Sequence, residues 1–229
     1  MPHPLDNPVV AALAGPHAEF AEQQGRAVRY ARDVTPFHGL PDEPRAADWA
    51  DLAVLAGPGA VVLLAVDAAV SPPGDWEVAF RIEGVQLVGA DVVGKADPET
   101  VRLGPDDVPE MLALVERTRP GPFLARTVEM GSYLGIRRDG VLIAMAGERM
   151  HPPGHTEISA VCTDPDHRGE GLASRLVLAV AAGIRERGEI PFLHAAGDNT
   201  NAIRLYGTLG FRLRRPVTFL GARVPGGAG

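Results

Sequence analysis

The sequence contains one cysteine, one lysine and few aromatic residues, which make up 5% of its 229 residues. The single cysteine, Cys162, excludes an intrachain disulfide framework and a cysteine-rich zinc module. The longest apolar run, residues 60–66, is far too short to cross a membrane. These absences predict a protein without disulfides and without a membrane-embedded segment.

Acidic residues outnumber basic ones, 29 to 22, and the formal net charge is −7. A protein that coats nucleic acid needs a basic surface to displace counterions, so we expect no nucleic-acid partner. A hydrophobic content of 45% is that of a globular chain rather than a disordered one. Residues 1–6 show neither the basic nor the apolar region of a signal peptide. We expect a cytoplasmic protein, a monomer or homodimer, with no membrane partner.

The most informative segment is His167–Leu176, which reads HRGEGLASRL. It follows an apolar, β-prone stretch, Ile158–Cys162, and opens a helix with periodic apolar residues. Its two glycines, with Ala173 and Ser174, bring backbone N–H groups to a helix N-terminus under little side-chain cover. Such a terminus binds phosphate, although a tight connection is the simpler alternative. Ser174 stands where a dinucleotide-binding fingerprint would have its third glycine, which disfavours that cofactor.

The first half of the chain reads as a mixed α/β region with frequent breaks. It predicts two short helices within Val9–Arg32, a helix over Asp48–Leu55, a strand over Ala60–Val66, and strands over Trp76–Ile82 and Val85–Val88 joined at Glu83-Gly84. Trp49 and Trp76 are expected to be packing anchors. The segment Lys95–Glu99 is a plausible linker. It divides the chain into an N-terminal α/β domain, 1–97, and a second domain, 98–229.

The second domain has a more regular pattern. Strands are predicted over residues 100–103, 133–137, 141–146, 157–163, 191–196, 211–213 and 217–220, and helices over 106–116, 171–187 and 201–209, with a short helix or turn at 125–130. The element order is β-α-α-β-β-β-α-β-α-β-β. Residues 221–229, which end in Gly226–Gly229, are expected to form a disordered tail.

Two motifs at this spacing resemble the GNAT superfamily of acyl-CoA-dependent N-acyltransferases. The first is Arg168–Ala173, and the second is Asn199 with Ala202–Tyr206 and Leu209–Phe211. The resemblance covers about residues 99–220. It implies an α/β fold with a mixed, mostly antiparallel sheet, a splayed central strand pair and flanking helices. Residues 1–97 fall outside it, and a degenerate GNAT-like half is one possibility for them.

The resemblance also implies a cosubstrate, acetyl-CoA, and no metal. The amides from Arg168 to Ala173 would wrap the pyrophosphate, and the Val161 amide would polarise the thioester carbonyl. Asn199 would bind the pantetheine region, and Tyr206 would protonate the departing thiolate. The full set of expected cofactor-binding residues is Val161, Cys162, Thr163, His167, Arg168, Gly169, Glu170, Gly171, Leu172, Ala173, Ser174, Asn199, Ala202 and Tyr206.

A protonated amine cannot attack a thioester, so a general base is expected. Glu157 is the first candidate, because strand alternation puts it on one face with Ser159 and Val161 and turns Cys162 away. Glu148 is the second candidate and His155 the third. Taken alone, Glu157 and Glu148 each read somewhat better as exposed strand-end charges. A cluster of Arg117, Arg119 and Arg126 lies where relatives shape the acceptor pocket and is otherwise a solvated surface.

The sequence therefore predicts an acetyl-CoA-dependent N-acetyltransferase. The acceptor would be a primary amine of a small molecule, amino acid or peptide, attacking directly in a ternary complex. The alternative from another class is a catalytically inactive acyl-CoA-binding regulatory or interaction module. A nucleotide-binding protein that uses the same loop is a third reading.

Overall fold

The computed structural model describes residues 3–226, which form five helices and eleven strands. The helices are α1 (Pro8–Leu13), α2 (Ala46–Ala56), α3 (Val108–Thr118), α4 (Leu172–Glu186) and α5 (Thr200–Thr208). The strands are β1 (Ala21–Gln24), β2 (Ala27–Tyr30), β3 (Phe37–Gly39), β4 (Val61–Val66), β5 (Glu77–Val88), β6 (Val101–Leu103), β7 (Tyr133–Arg138), β8 (Val141–Glu148), β9 (His155–Thr163), β10 (Ile190–Ala196) and β11 (Arg212–Arg223).

All eleven strands form one sheet in the order β1-β2-β3-β4-β11-β5-β10-β9-β8-β7-β6. Two neighbouring pairs are parallel, β3 with β4 and β9 with β10. A helix connects the strands of each parallel pair, α2 in the first and α4 in the second. The remaining pairs are antiparallel, which confirms the predicted mixed, mostly antiparallel sheet with flanking helices.

Helices cover both faces of the sheet because each buries one apolar stripe. In α4, the residues four apart, from Leu172 to Ile184, pack on one face. Met111 and Leu114 of α3 pack on the opposite face. In the first half, Trp49 of α2 meets Trp76 edge to face, with ring centroids 5.2 Å apart, in the role of packing anchors.

Three predicted elements of the first half and the C-terminus are wrong. The second helix expected within Val9–Arg32 is the hairpin β1–β2, because Gly25 adopts a positive φ of 52° and turns the chain. Glu83-Gly84 does not divide a strand, because the Phe219 ring packs against Gly84 and β5 runs on. The two C-terminal strands are one, β11, with a register shift between Leu213 and Arg215.

The tail expected from residue 221 begins later, since β11 continues to Arg223 and the side chain of Val224 is buried. Residues 227–229 of that tail lie outside the described part of the chain. The division at residue 97 stays a prediction, and β5 from the first part lies between β11 and β10 of the second. None of the helices in residues 3–226 has the length and hydropathy of a membrane-spanning segment.

Candidate active site

The site begins where strands β9 and β10 separate. Their parallel pairing runs only from His155 and Ile190 to Glu157 and Phe192. Beyond that point β9 continues beside β8 to Thr163, while β10 continues beside β5 to Ala196. The strands therefore splay and leave a gap between two backbone edges, as the resemblance implied.

A β-bulge lies in β9 just beyond the point of separation. Met145 pairs with Cys162 and Gly147 pairs with Ser159, so Ala160 and Val161 together lie opposite Ala146. Ala160 has a φ of 52°, which is unusual for a residue with a side chain. The extra residue reverses the alternation of side chains after it.

This reversal corrects two expectations about side-chain direction. Val161 packs with the α4 core, on the face opposite Glu157 and Ser159, rather than with them. Cys162 instead packs with the α3 core. Burial raises the pKa of the Cys162 thiol to about 11, so the thiol is protonated and unsuited to carry an acyl group.

The loop before α4 leaves the N-terminus of that helix open. Gly169 and Gly171 have φ of 88° and 75°, and a Cβ added at either would meet nothing within 4 Å. The first turn of α4 contains no acidic residue, and no side chain caps it. Its first N–H groups therefore point outward without an intrahelical partner, and the helix dipole favours an anion there.

A cavity of about 1010 Å³ joins the splayed strands to this loop. Of the fourteen expected cofactor-binding residues, thirteen line it, and the exception is Glu170. The Glu170 carboxylate is instead 2.9 Å from Nδ1 of His167 at the exposed side of the loop. The backbone of the bulge and the open helix end therefore face one continuous space.

Helix α5 brings the second motif to the same cavity. The Asn199 side chain caps this helix, since its Oδ1 accepts a hydrogen bond from the Ala202 N–H at 3.1 Å. Tyr206 lines the cavity near Phe211, and burial raises the pKa of its phenol to about 12. The phenol is therefore neutral near pH 7 and has a proton to donate.

None of the three expected base candidates lines the cavity. Glu148 is buried beside β7, where Arg187 and the Ser132 N–H contact its carboxylate at 2.9 and 3.1 Å. The imidazole Nδ1 of His155 lies 3.0 Å from the Pro153 carbonyl oxygen. Glu157 is fully buried under the point of strand separation.

Glu157 belongs to a buried polar network that sequence reasoning missed. Arg149 donates two hydrogen bonds to its carboxylate, at 2.8 and 2.7 Å, and this guanidinium and His194 hold the pKa of Glu157 well below its usual range. Nδ1 of His194 lies 2.7 Å from the same carboxylate and must donate to it. Nε2 then accepts from the Gln86 amide at 3.2 Å. Arg149 and His194 both line the cavity.

The three arginines expected to form a cluster are separate. Arg117 pairs with Asp164 at 2.9 Å, and Arg126 pairs with Asp33 and Glu129, so both are neutralised. Arg119 alone lines the cavity. Within residues 3–226, no group of three or more His, Cys, Asp or Glu side chains is arranged to hold a metal ion.

Comparison with known proteins gives a match over the whole chain. A crystal structure from Novosphingobium aromaticivorans, assigned to the GNAT family of acetyltransferases, is 40% identical with a TM-score of 0.89 and covers 100% of both chains. The chain belongs to the GNAT family. The FR47-like protein family matches residues 133–220. A GCN5-related N-acetyltransferase from Kribbella flavida shares the fold, with a TM-score of 0.62, 20% identity and coverage of 96% and 95%.

Curated GNAT-type relatives match a shorter segment. Mycothiol acetyltransferase from Nocardiopsis dassonvillei is 33% identical over 93 residues, which are 36% of this chain and 28% of the relative. The N-alpha-acetyltransferase RimI from Mycobacterium tuberculosis is 32% identical over 100 residues, 41% of this chain and 62% of the relative. The chain thus spans less than two thirds of the length of these relatives.

Proposed function

We propose that this GNAT-family protein transfers an acetyl group from acetyl-CoA to a primary amine of a small molecule, amino acid or peptide. The observation that carries the proposal is the single cavity that joins the splayed strands, the open N-terminus of α4 and Tyr206. The relatives named mycothiol acetyltransferase and N-alpha-acetyltransferase RimI support the same reaction class.

The expected cofactor-binding residues fit a coenzyme A donor. The amides from Arg168 to Ala173, with Ser174, would hold the pyrophosphate, because the two loop glycines leave this helix end uncovered. The edge of β9 from Val161 to Thr163 would bind the pantetheine arm, with Asn199 and Ala202 on the facing helix. The Val161 amide would stabilise the developing oxyanion.

In the proposed reaction, the amine nitrogen attacks the thioester carbonyl within a ternary complex. The new C–N bond forms, the C–S bond breaks, and the thiolate takes the phenolic proton of Tyr206. The proton lost by the amine passes to a base and, through solvent, restores the phenol. Placing both reactants in one cavity supplies much of the acceleration.

Of the expected bases, Glu157 would act through His194 rather than directly, and the geometry offers Glu148 no such route. The Glu157 carboxylate fixes the tautomer of His194 with the proton on Nδ1, which leaves Nε2 as the acceptor. An amine that displaces the Gln86 amide from Nε2 would give its proton to His194. Glu157 is then a positioning residue.

The decisive experiment measures thiol release from acetyl-CoA with a panel of amino acids, peptides and amines, together with CoA affinity by calorimetry. Release that depends on an amine, with mass-spectrometric detection of the acetylated product, is the expected result. CoA binding without release on any acceptor would instead favour the inactive acyl-CoA-binding module. Competition of ADP or NAD with CoA at equal affinity would favour the nucleotide-binding reading.

His194→Asn tests the proton route. The variant should keep its CoA affinity and lose about a hundredfold in kcat. Gln86→Leu, which removes the competing donor at Nε2, should keep kcat close to that of the parent. An unchanged kcat in His194→Asn would remove His194 from the mechanism.

A further inference from the structure

The cavity has a second side that the cofactor residues do not use. Leu63 of β4, Phe80 and Ile82 of β5, and Phe219 of β11 line it, and we call these four residues the apolar wall. All belong to strands outside the β9–α4–β10 unit. The wall is therefore available to the acceptor rather than to coenzyme A.

The sheet register explains how the wall forms. Phe219 pairs with Ile82, and Gly221 pairs with both Phe80 and Leu63, so all four wall side chains stand on one face. Gly221 has no side chain there, and the Phe80 ring fills the space, since a Cβ at Gly221 would lie 2.2 Å from a ring carbon. The result is a flat hydrocarbon surface.

The wall is more exposed than a core surface. Phe80 is 39% exposed and Ile82 is 44% exposed. Contiguous exposed apolar side chains are costly in a soluble domain and often mark a binding surface. The wall also reaches the reaction centre, because the Phe219 ring centroid lies 5.9 Å from that of the His194 imidazole.

The charges around the cavity restrict what can lie on this wall. No Asp or Glu is among the described residues that line the cavity. The Arg149 guanidinium, which also stacks over Phe37, is already committed to Glu157. A polyamine would therefore find no carboxylate among these lining residues for its remote ammonium groups. An apolar environment also lowers the pKa of an ammonium group and favours the neutral, nucleophilic amine.

We infer that the acceptor is a primary monoamine with an apolar alkyl or aryl body, whose amine lies at His194 and whose body lies on the apolar wall. This inference rests on the proposed acetyl transfer. It narrows the acceptor to a chemical class that excludes polycationic amines.

A chain-length series tests the inference. kcat/KM is measured for ethylamine, butylamine, hexylamine and 2-phenylethylamine, and compared with ethanolamine, glycine, lysine and spermidine. Each added methylene should raise kcat/KM about fourfold as the body covers the wall. Ethanolamine and glycine, which lack an apolar body, and lysine and spermidine, which carry remote ammonium groups, should be at least about tenfold poorer than hexylamine. A flat series, or spermidine or lysine as the best acceptor, would overturn the inference.

A matched pair of variants locates the effect. Ile82→Asp places a carboxylate on the wall, and Val101→Asp places one on the edge strand β6, at a residue of similar exposure, 41%. Only Ile82→Asp should flatten the chain-length dependence and lower kcat/KM for hexylamine at least about tenfold. Both variants should keep their CoA affinity. Equal behaviour of the two variants would contradict the placement on the wall.

Calorimetry separates this inference from the proposed function. The same amines are titrated into the CoA-saturated protein, where no acetyl group is available. A protein that ranks the amines by apolar length but never releases thiol would refute acetyl transfer and retain the apolar site. A protein that acetylates amines but ranks them by charge would support acetyl transfer and refute the apolar acceptor site.

Discussion

Two β-α-β units lie in this sheet, β3–α2–β4 and β9–α4–β10, and they differ at the N-terminus of the helix. In α2 the chain supplies its own anion, because the Asp48 carboxylate accepts a hydrogen bond from the Arg45 N–H at 2.7 Å. Arg26 donates two hydrogen bonds to the same carboxylate and holds its pKa well below the usual range. In α4 no carboxylate lies in the first turn.

The first strands of the two units also differ in length relative to their pairing. Strand β3 ends after three residues, whereas β9 continues past the end of its pairing with β10. The first unit is closed by its own side chains, and the second has an open helix end and an open strand edge. A shared β-α-β topology therefore does not by itself create the proposed cofactor site. That site uses groups that the second unit leaves without an internal partner.

The largest expected effect comes from placing a carboxylate at the N-terminus of α4, where α2 has Asp48. Gly171→Glu places a carboxylate beside the N–H groups proposed to hold the pyrophosphate. Two like charges about 4 Å apart at a protein surface repel by about 4 kcal/mol, so CoA affinity should fall about a thousandfold. Calorimetry measures the dissociation constant.

Gly188→Glu is the matched control, since Gly188 also has a positive φ, 77°, and open space around it, but lies beyond the other end of α4. Both variants should lose about 1 kcal/mol of unfolding free energy to backbone strain. Retained CoA affinity in Gly171→Glu would remove the phosphate-loop assignment.

Acid should weaken the first half of the chain through two buried histidines, His38 of the first unit and His17, which precedes β1. Burial lowers the pKa of His17 and of His38 from 6.5 to about 4, so the folded state keeps these rings neutral. The unfolded state binds more protons between these values, and stability is lost as the pH falls from about 6.5 to 4. The loss is up to about 3 kcal/mol for each histidine.

Urea unfolding at pH 7, 5.5 and 4.5 measures this loss. His38→Asn keeps a donor for the Pro36 carbonyl, which His38 now contacts at 2.8 Å, and removes one titrating group. The variant should lose less stability on acidification than the parent. An identical pH dependence would show that His38 does not carry the effect.

A smaller effect is expected at Tyr206 of α5, the proposed acid. Tyr206→Phe should keep CoA affinity and lower kcat about tenfold to a hundredfold, because the thiolate then leaves without a positioned proton. Tyr133→Phe is the control, since the Tyr133 hydroxyl is buried without a hydrogen-bond partner in the described chain. Equal turnover of Tyr206→Phe and the parent would exclude this tyrosine from the chemistry.

The smallest effect is expected from removing the carboxylate at the N-terminus of α2. Asp48→Asn removes the charge from the N-terminus of α2 and should cost about 1–2 kcal/mol of unfolding free energy. Thermal unfolding measures it. CoA affinity should not change, because the substitution leaves the proposed pyrophosphate loop before α4 and the splayed strands β9 and β10 unaltered. A change in CoA affinity would mean that the two units are coupled.

Sequence reasoning succeeded where local pattern decides structure. The apolar residues of α4 recur every four positions, and two glycines precede them, so both the helix and its open end were predictable. The same holds for Asn199, which both caps α5 and lines the cavity. These features depend on neighbours within one turn or one strand.

Long-range features were not predictable from local pattern. Glu157 and His194 are 37 positions apart and meet only because β9 and β10 run parallel at that point. The bulge at Ala160 has no glycine to signal it, so simple alternation assigned Val161 and Cys162 to the wrong faces. The lone histidine in the apolar strand Phe192–Ala196 was the available signal for the polar network.

The position of β11 has a consequence for biosynthesis. This strand lies between β4 and β5 of the first half, yet the ribosome makes it after β6 to β10 and every helix. While the chain is being made, β4 and β5 each present an unpaired edge that only the last strand can cover. The first half therefore cannot complete its sheet ahead of the second. The apolar wall, which needs Phe219, and the proposed cofactor cavity are therefore completed in the same late step.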